Sequence, residues 1–141
     1  MKNRFLLCTV LVTFAIVNLG FAATTVVIAN SSVTDASLTK SQLTDIYTKK
    51  TTTWTDGAKI VPVTLSRGSE VQNDFLNKVM GMGVREYTSY WVEAVFTGSG
   101  TPPKAFNSET ELVEFVEKTP GAIGFISAET PKGKTKTITI K

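Results

Sequence analysis

The chain has 141 residues, with 15 Lys and Arg, 12 Asp and Glu, a single Cys and no His. This length fits one ordinary domain, and the absence of histidine excludes imidazole catalysis and most soft-metal sites. The net charge of +3 is small, and its only near-cluster, from Lys132 to Lys141, is explained better by a solvated tail and edge strand than by nucleic-acid binding.

Residues 1–22 have the features of a cleaved export signal. Two basic residues precede an apolar run over 5–21, and small residues stand at the two positions that a signal peptidase reads before a cut after Ala22. A retained membrane helix would need about 20 apolar residues, and this run is shorter and contains polar side chains. We therefore predict a mature domain over residues 23–141 in the periplasm or outside the cell.

The mature region alternates short strands with helices. Strands are predicted at 24–29, 60–65, 122–126 and 135–140, where β-branched and apolar residues form short runs. Helices are predicted at 39–48, from 69 until Gly81, at 84–96 and at 108–118, where apolar residues recur at helical spacing. We expect a three-layer αβα lobe with a mostly parallel sheet. Pro62 indicates an edge or bulge position, and the last strand indicates an edge strand.

Side chains at helix starts and in one helix support this division. Capping boxes are predicted at three pairs, which are Thr39 with Gln42, Ser69 with Gln72, and Ser108 with Glu111. The aromatic side chains of the 84–96 helix are interpreted as core residues rather than a recognition surface, and they are Tyr87, Tyr90, Trp91 and Phe96.

The segment Ser66-Arg67-Gly68-Ser69 has the composition of an anion site. It links a strand directly to a helix, whose first N–H groups have no intrahelical partner and whose dipole is positive at that end. Its hydroxyls, its Gly and an Arg that can bind two oxygens would suit a tetrahedral oxyanion. The alternative is that Ser69 only caps the helix and Arg67 points into water.

Two further polar loops are candidates for the same site. Asn30, Ser31 and Ser32 follow the first strand, and in a parallel sheet they would lie beside the loop after the second strand. Ser99 and Thr101 lie in a Gly-rich loop that could supply more donors, although a plain connection between helices explains it equally well.

No set of residues for catalysis stands out. Carboxylates are scattered, mainly along the solvated face of the 108–118 helix, and a serine nucleophile would lack a basic partner. We therefore predict a binding module rather than an enzyme, with no cofactor and no metal.

The motifs at 38–54 (LTKSQLTDIYTKKTTTW), 66–69 (SRGS) and above all 119–125 (TPGAIGF) resemble the phosphate-binding proteins of ABC transporters. The mature chain looks most like the short relatives described as phosphate ABC transporter substrate-binding proteins. This resemblance implies a type II periplasmic-binding-protein fold, export, and a transporter component in the membrane as partner. It implies phosphate held at Ser66, Gly68 and Ser69 and at 30–32, with a weaker correspondence at 98–101.

Two departures from the family modify that expectation. Full-length members close two lobes over the ligand, whereas 119 residues make about one lobe, and Arg67 stands where the family has an acidic residue. We therefore expect weak binding or binding that needs a partner, for which a homodimer facing two half-sites is one remedy. The alternative function is an interaction or structural protein of the envelope that kept the fold without a ligand.

Overall fold

The computed structural model describes residues 24–141, so the predicted signal at 1–22 lies outside the described residues. The strands are β1 (Thr25–Ala29), β2 (Ser37–Leu38), β3 (Val61–Leu65), β4 (Lys104–Phe106), β5 (Ala122–Ser127) and β6 (Lys136–Ile140). The helices are α1 (Lys40–Tyr47), α2 (Glu70–Asp74), which continues as a π-helical segment (Phe75–Met80), α3 (Val84–Phe96) and α4 (Glu109–Lys118). Within this described range, no helix is long and apolar enough to span a bilayer.

Six strands form one sheet in the order β2-β6-β1-β5-β3-β4. The β2–β6, β3–β5 and β3–β4 pairs are parallel, whereas β1 is antiparallel to both of its neighbours, β5 and β6. Five strands therefore run in one direction and β1 runs in the other. The predicted α/β fold with a mostly parallel sheet is confirmed.

Helices cover both faces of the sheet, as the alternation of side chains along β5 shows. A Cβ on Gly124 would touch Leu112 of α4, which places α4 on one face. The next side chain, Phe125, points to the other face and stacks on Phe75 of the π-helical segment, with ring centroids 3.8 Å apart. Tyr47 of α1 packs edge-on against Phe75 and donates a hydrogen bond to the Val63 carbonyl oxygen at 3.0 Å, so this face carries the aromatic core.

Burial on that face also controls the protonation of Tyr47. Burial raises the pKa of this hydroxyl well above its usual value, and the nearby Tyr87 hydroxyl raises it further. The neutral side chain therefore remains a hydrogen-bond donor to the sheet.

One of the three predicted capping boxes is complete. At α1, the Thr39 hydroxyl accepts from Gln42 N–H while the Gln42 side chain accepts from Thr39 N–H. Ser69 likewise accepts from Gln72 N–H, but the Gln72 side-chain oxygen bonds the buried Thr64 hydroxyl instead of the Ser69 backbone. Gln72 therefore fastens α2 to β3.

The prediction that the last strand is an edge strand is wrong. β6 lies between β2 and β1, because the two residues of β2 pair with its end. β3 lies between β5 and β4. Val61 N–H points to β5, so the nitrogen of Pro62 points toward β4. The β3–β4 ladder begins only at Val63, so Pro62 leaves no ladder hydrogen bond unmade. The sequence analysis does not predict β2 and β4, because strands of two and three residues are too short to show an alternation of apolar and polar residues.

The turn between α4 and β5 joins several elements at Gly121. This residue has φ 77°, a left-handed conformation that favours glycine. Its carbonyl oxygen accepts from Trp54 Nε1 at 3.0 Å and from Val61 N–H at 3.1 Å. A Cβ at this position would overlap the Lys59 carbonyl oxygen.

We predict that Gly121→Ala lowers the free energy of unfolding by about 2 kcal/mol or more, because the left-handed backbone and the contact with Lys59 both oppose a methyl group. Urea denaturation measures the loss. Gly100→Ala is the matched control: its Cβ would lie 3.6 Å from Trp91, an ordinary contact, and should change stability by less than about 0.5 kcal/mol. Equal effects of the two substitutions would contradict this role for Gly121.

Candidate functional site

The loop Ser66–Ser69 leaves the carboxyl end of β3 and leads into α2, as predicted. Ser66 N–H donates to the Phe106 carbonyl oxygen at 2.8 Å, which ties the loop to β4. The Ser66 hydroxyl lies 2.6 Å from Asn107 Oδ1, so it is occupied within the protein. Gly68 has φ 93°, which turns the chain into the helix.

Several donors of this loop remain free. The N–H groups of Gly68, Glu70 and Val71 have no hydrogen-bond acceptor within residues 24–141. Ser69 accepts from Gln72 N–H at 3.3 Å, which leaves the hydrogen of its own hydroxyl for another acceptor. The Glu70 side chain is acidic and stands in the first turn, so it opposes an anion at this helix end.

A cavity of about 530 Å³ lies between this loop, α3 and the segment before β4. Its apolar lining residues are Leu65, Leu76, Val84, Trp91, Val92, Val95, Phe96, Pro102, Pro103 and Ala105. Its polar lining residues are Thr64, Arg67, Gln72, Tyr87 and Thr88. Arg67 is the only charged side chain in this lining.

The electrostatics of the cavity favour an anion. Burial raises the pKa of Tyr87 to about 12, so its hydroxyl is neutral at physiological pH. No carboxylate lines the cavity. Arg67 is exposed and makes no ion pair with the described residues, so its guanidinium is available to a ligand.

Of the nine predicted site residues, the structure places only Arg67 in the cavity lining. Ser66, Gly68 and Ser69 belong to the same loop but do not line the cavity. Ser99 caps the end of α3, where its hydroxyl lies 3.3 Å from the Ala94 carbonyl oxygen. Thr101 is exposed and precedes the prolines of the lining without joining it.

The predicted meeting of Asn30, Ser31 and Ser32 with the Ser66 loop is wrong. Ala29, at the end of β1, and Pro62, near the start of β3, both pair with Ile123. Because β1 is antiparallel to the other strands, the polar loop after β1 and the loop after β3 lie at opposite ends of the strands.

In the loop after β1, Asn30 and Ser32 have structural partners within the protein. The Asn30 amide is buried and donates to the Val116 and Glu117 carbonyl oxygens at 2.8 and 2.9 Å, which caps the end of α4. The Ser32 hydroxyl accepts from Gly121 N–H at 3.2 Å, whereas Ser31 is exposed.

The interpretation of the α3 aromatic residues is confirmed for Tyr87 and Trp91, which are buried, and wrong for Phe96, which is 92% exposed. Phe96 is the last residue of α3, and its side chain lies outside the buried core. Val92 and Val95 are also exposed, at the i,i+3,i+4 spacing that places all three on one face of the helix. This face borders the cavity.

Four of the five polar lining residues are not among the predicted site residues, namely Thr64, Gln72, Tyr87 and Thr88. Gln72 was assigned to a capping box, and Thr88 is an ordinary polar position of an amphipathic helix. The only signal for Thr88 is its spacing, because it lies one turn before Val92. That spacing predicts a shared face but not what covers it.

The sequence matches a known protein family over most of its length. Residues 13–140 match the family described as PBP superfamily domain, which covers most of the chain. The chain therefore belongs to that family. We found no significant match among curated proteins.

Solved structures share this fold at low identity. An ABC-type phosphate transport receptor from Vibrio cholerae is 23% identical with a TM-score of 0.65, over 82% of this chain and 45% of that one. A structure with bound phosphate from Clostridium perfringens is 22% identical with a TM-score of 0.64, over 82% and 44%. PstS from Borrelia burgdorferi is 15% identical with a TM-score of 0.63, over 82% and 46%. The chain thus spans less than half of the length of each.

We predict that Asn30→Ala lowers the free energy of unfolding by about 2 kcal/mol or more, because two carbonyl oxygens at the end of α4 lose their donor. Urea denaturation measures this loss. The neighbouring exposed residue gives the matched control, and Ser31→Ala should stay within about 0.5 kcal/mol of the original protein. If Asn30→Ala loses anion binding without losing stability, Asn30 is a binding residue rather than a structural one.

Proposed function

We propose that this chain is an exported solute-binding protein that binds phosphate or a similar tetrahedral oxyanion for an ABC transporter. The observation that carries the proposal is the set of donors after β3 that have no partner within residues 24–141. They are N–H groups at the start of α2 and the guanidinium of Arg67. Backbone N–H groups at a helix start and an arginine fork both match the oxygens of such an anion. The role is binding rather than catalysis.

The family and the named structures support this proposal. The chain belongs to the PBP superfamily domain family, and its fold is shared with an ABC-type phosphate transport receptor and with a protein solved with phosphate bound. For this chain we propose phosphate contacts at Arg67, Gly68 and Ser69. Ser66 contributes by fixing the loop to Asn107 rather than by touching the anion.

We propose weak binding for an isolated chain, because the loop is open to water and charge-assisted bonds weaken in a high dielectric. Glu70 adds repulsion at the helix start. A membrane component of the transporter, or a second copy facing the site in a homodimer, would exclude water.

Export through a cleaved signal over residues 1–22 is part of the proposal, and the mature domain is residues 23–141. The apolar run and the small residues before Ala23 support it. We predict that the exported protein begins at Ala23, which N-terminal sequencing measures. Recovery of a chain that still begins at Met1 would contradict cleavage.

We predict that inorganic phosphate raises the melting temperature of the protein in a saturable titration, because a ligand at 100 times its Kd adds about 2.7 kcal/mol to stability. Arg67→Gln should weaken the affinity about tenfold or more, since hydrogen bonds to a charged group contribute about 1.5–3 kcal/mol. Calorimetric titration measures the affinity directly.

The matched control is Arg85→Gln, which removes another exposed arginine that does not line the cavity. Its affinity for phosphate should equal that of the original protein. If folded protein shows no shift with millimolar phosphate or sulfate, or if both arginine variants weaken binding equally, the oxyanion site is refuted.

A further inference from the structure

The cavity beside Arg67 is larger and more apolar than an inorganic oxyanion requires. Its volume of about 530 Å³ lies in the range of about 300–1,000 Å³ that is usual for pockets holding small organic molecules. Ten of its fifteen lining residues are apolar. A phosphate ion bound at the loop would leave this apolar wall in contact with water.

Several polar groups of the lining are donors without partners among the described residues, although the Thr64 and Tyr87 hydroxyls donate within the protein. Gln72 is only 6% exposed, and the Thr64 hydroxyl occupies its side-chain oxygen, so its NH₂ group has no acceptor among the described residues. The Thr88 hydroxyl and the Arg67 guanidinium also have no partner within residues 24–141. The buried donor of the lining is the Trp91 indole N–H, which has no partner within residues 24–141. A buried donor without an acceptor costs free energy, and an acceptor on a ligand would remove that cost.

The apolar wall is exposed where it borders this donor set. Val92 is 63% exposed and Val95 is 55% exposed, although both are large apolar side chains. The buried ring of Trp91 lines the same cavity. Burying apolar surface against such a wall is favourable by about 25 cal/mol per Å².

We propose that this cavity binds an organic anion, whose phosphate or similar head group contacts Arg67 and Gln72 and whose apolar body packs on Trp91 and Val92. The inference rests on the proposed function, because the same arginine holds the anionic group. It adds the class of ligand: a phosphate monoester with an apolar or aromatic substituent is preferred over inorganic phosphate.

Three probes test the proposal on the folded protein: phenyl phosphate, inorganic phosphate and benzyl alcohol. Calorimetry and tryptophan fluorescence follow binding, because Trp91 lines the cavity whereas Trp54 is bonded to Gly121 at the other edge of the sheet. We expect phenyl phosphate to bind at least tenfold more tightly than inorganic phosphate, because a buried phenyl group gains apolar transfer energy. Benzyl alcohol, which lacks the anion, should bind at least tenfold more weakly than phenyl phosphate.

Two variants separate the head group from the apolar body. Arg67→Gln should weaken both phosphate probes by a similar factor. Val92→Asn should weaken phenyl phosphate about fivefold or more and leave inorganic phosphate unchanged, since it alters only the apolar wall. Ser89→Asn is the matched control, because it places the same new residue at an exposed position of α3 outside the cavity and should change neither affinity.

The outcomes distinguish this inference from the proposed function. Equal affinities for phenyl phosphate and inorganic phosphate, both reduced by Arg67→Gln, would overturn the inference and leave the oxyanion site. Equal binding of phenyl phosphate and benzyl alcohol, unchanged by Arg67→Gln, would overturn both. Light scattering tests whether the protein is a dimer that Val92→Asn dissociates. If it is, and if that dimer does not bind phenyl phosphate, the apolar wall belongs to a second copy and the inference is overturned.

Discussion

The close approach of two backbones at Gly121 is the constraint on which the sheet depends. Its carbonyl oxygen accepts hydrogen bonds from Trp54 and from the start of β3, while its N–H donates to Ser32 after β1. Only a residue without a side chain fits against the Lys59 carbonyl oxygen there. The turn thus fixes where β1 ends relative to where β3 begins. The position of the loop after β3 follows from that register.

The sequence was sufficient for most elements because their signals are local. A complete capping box at Thr39 and Gln42 placed the start of α1, and the left-handed Gly81 and Gly98 mark helix ends close to where they were expected. The direction of β1 could not be predicted this way, since a β-branched run reads the same in a parallel or an antiparallel pair. That direction depends on contacts between residues about 100 positions apart in the sequence.

The candidate site was predictable only in part for the same reason. The strand–loop–helix pattern located Arg67 and Ser69, whose chemistry is local. Asn30 carried an equally good polar signal, but its amide caps α4, a partner 86 positions away. Gln72 has the spacing of a capping-box residue, but its side-chain oxygen accepts from the Thr64 hydroxyl. That contact depends on the packing of α2 against β3, which the local sequence does not show. The TPGAIGF motif, which best indicates the family, forms the turn before β5 and most of that strand, and none of its residues lines the cavity, so it reports on the fold rather than on the ligand.

The reversed direction of β1 has a practical consequence for both ends of the described domain. Thr25 pairs with Ser127, and Ile138 pairs with Val27, so the start of β1 and the end of β6 lie at the edge of the sheet that carries Arg67. Strands are about 4.8 Å apart, which puts β1 about 10 Å and β6 about 15 Å from β3. A purification tag or a fluorescent label fused before β1 or after β6 would therefore lie near the mouth of the site. Attachment of the protein to a solid support through such a tag would turn the mouth of the site toward that support.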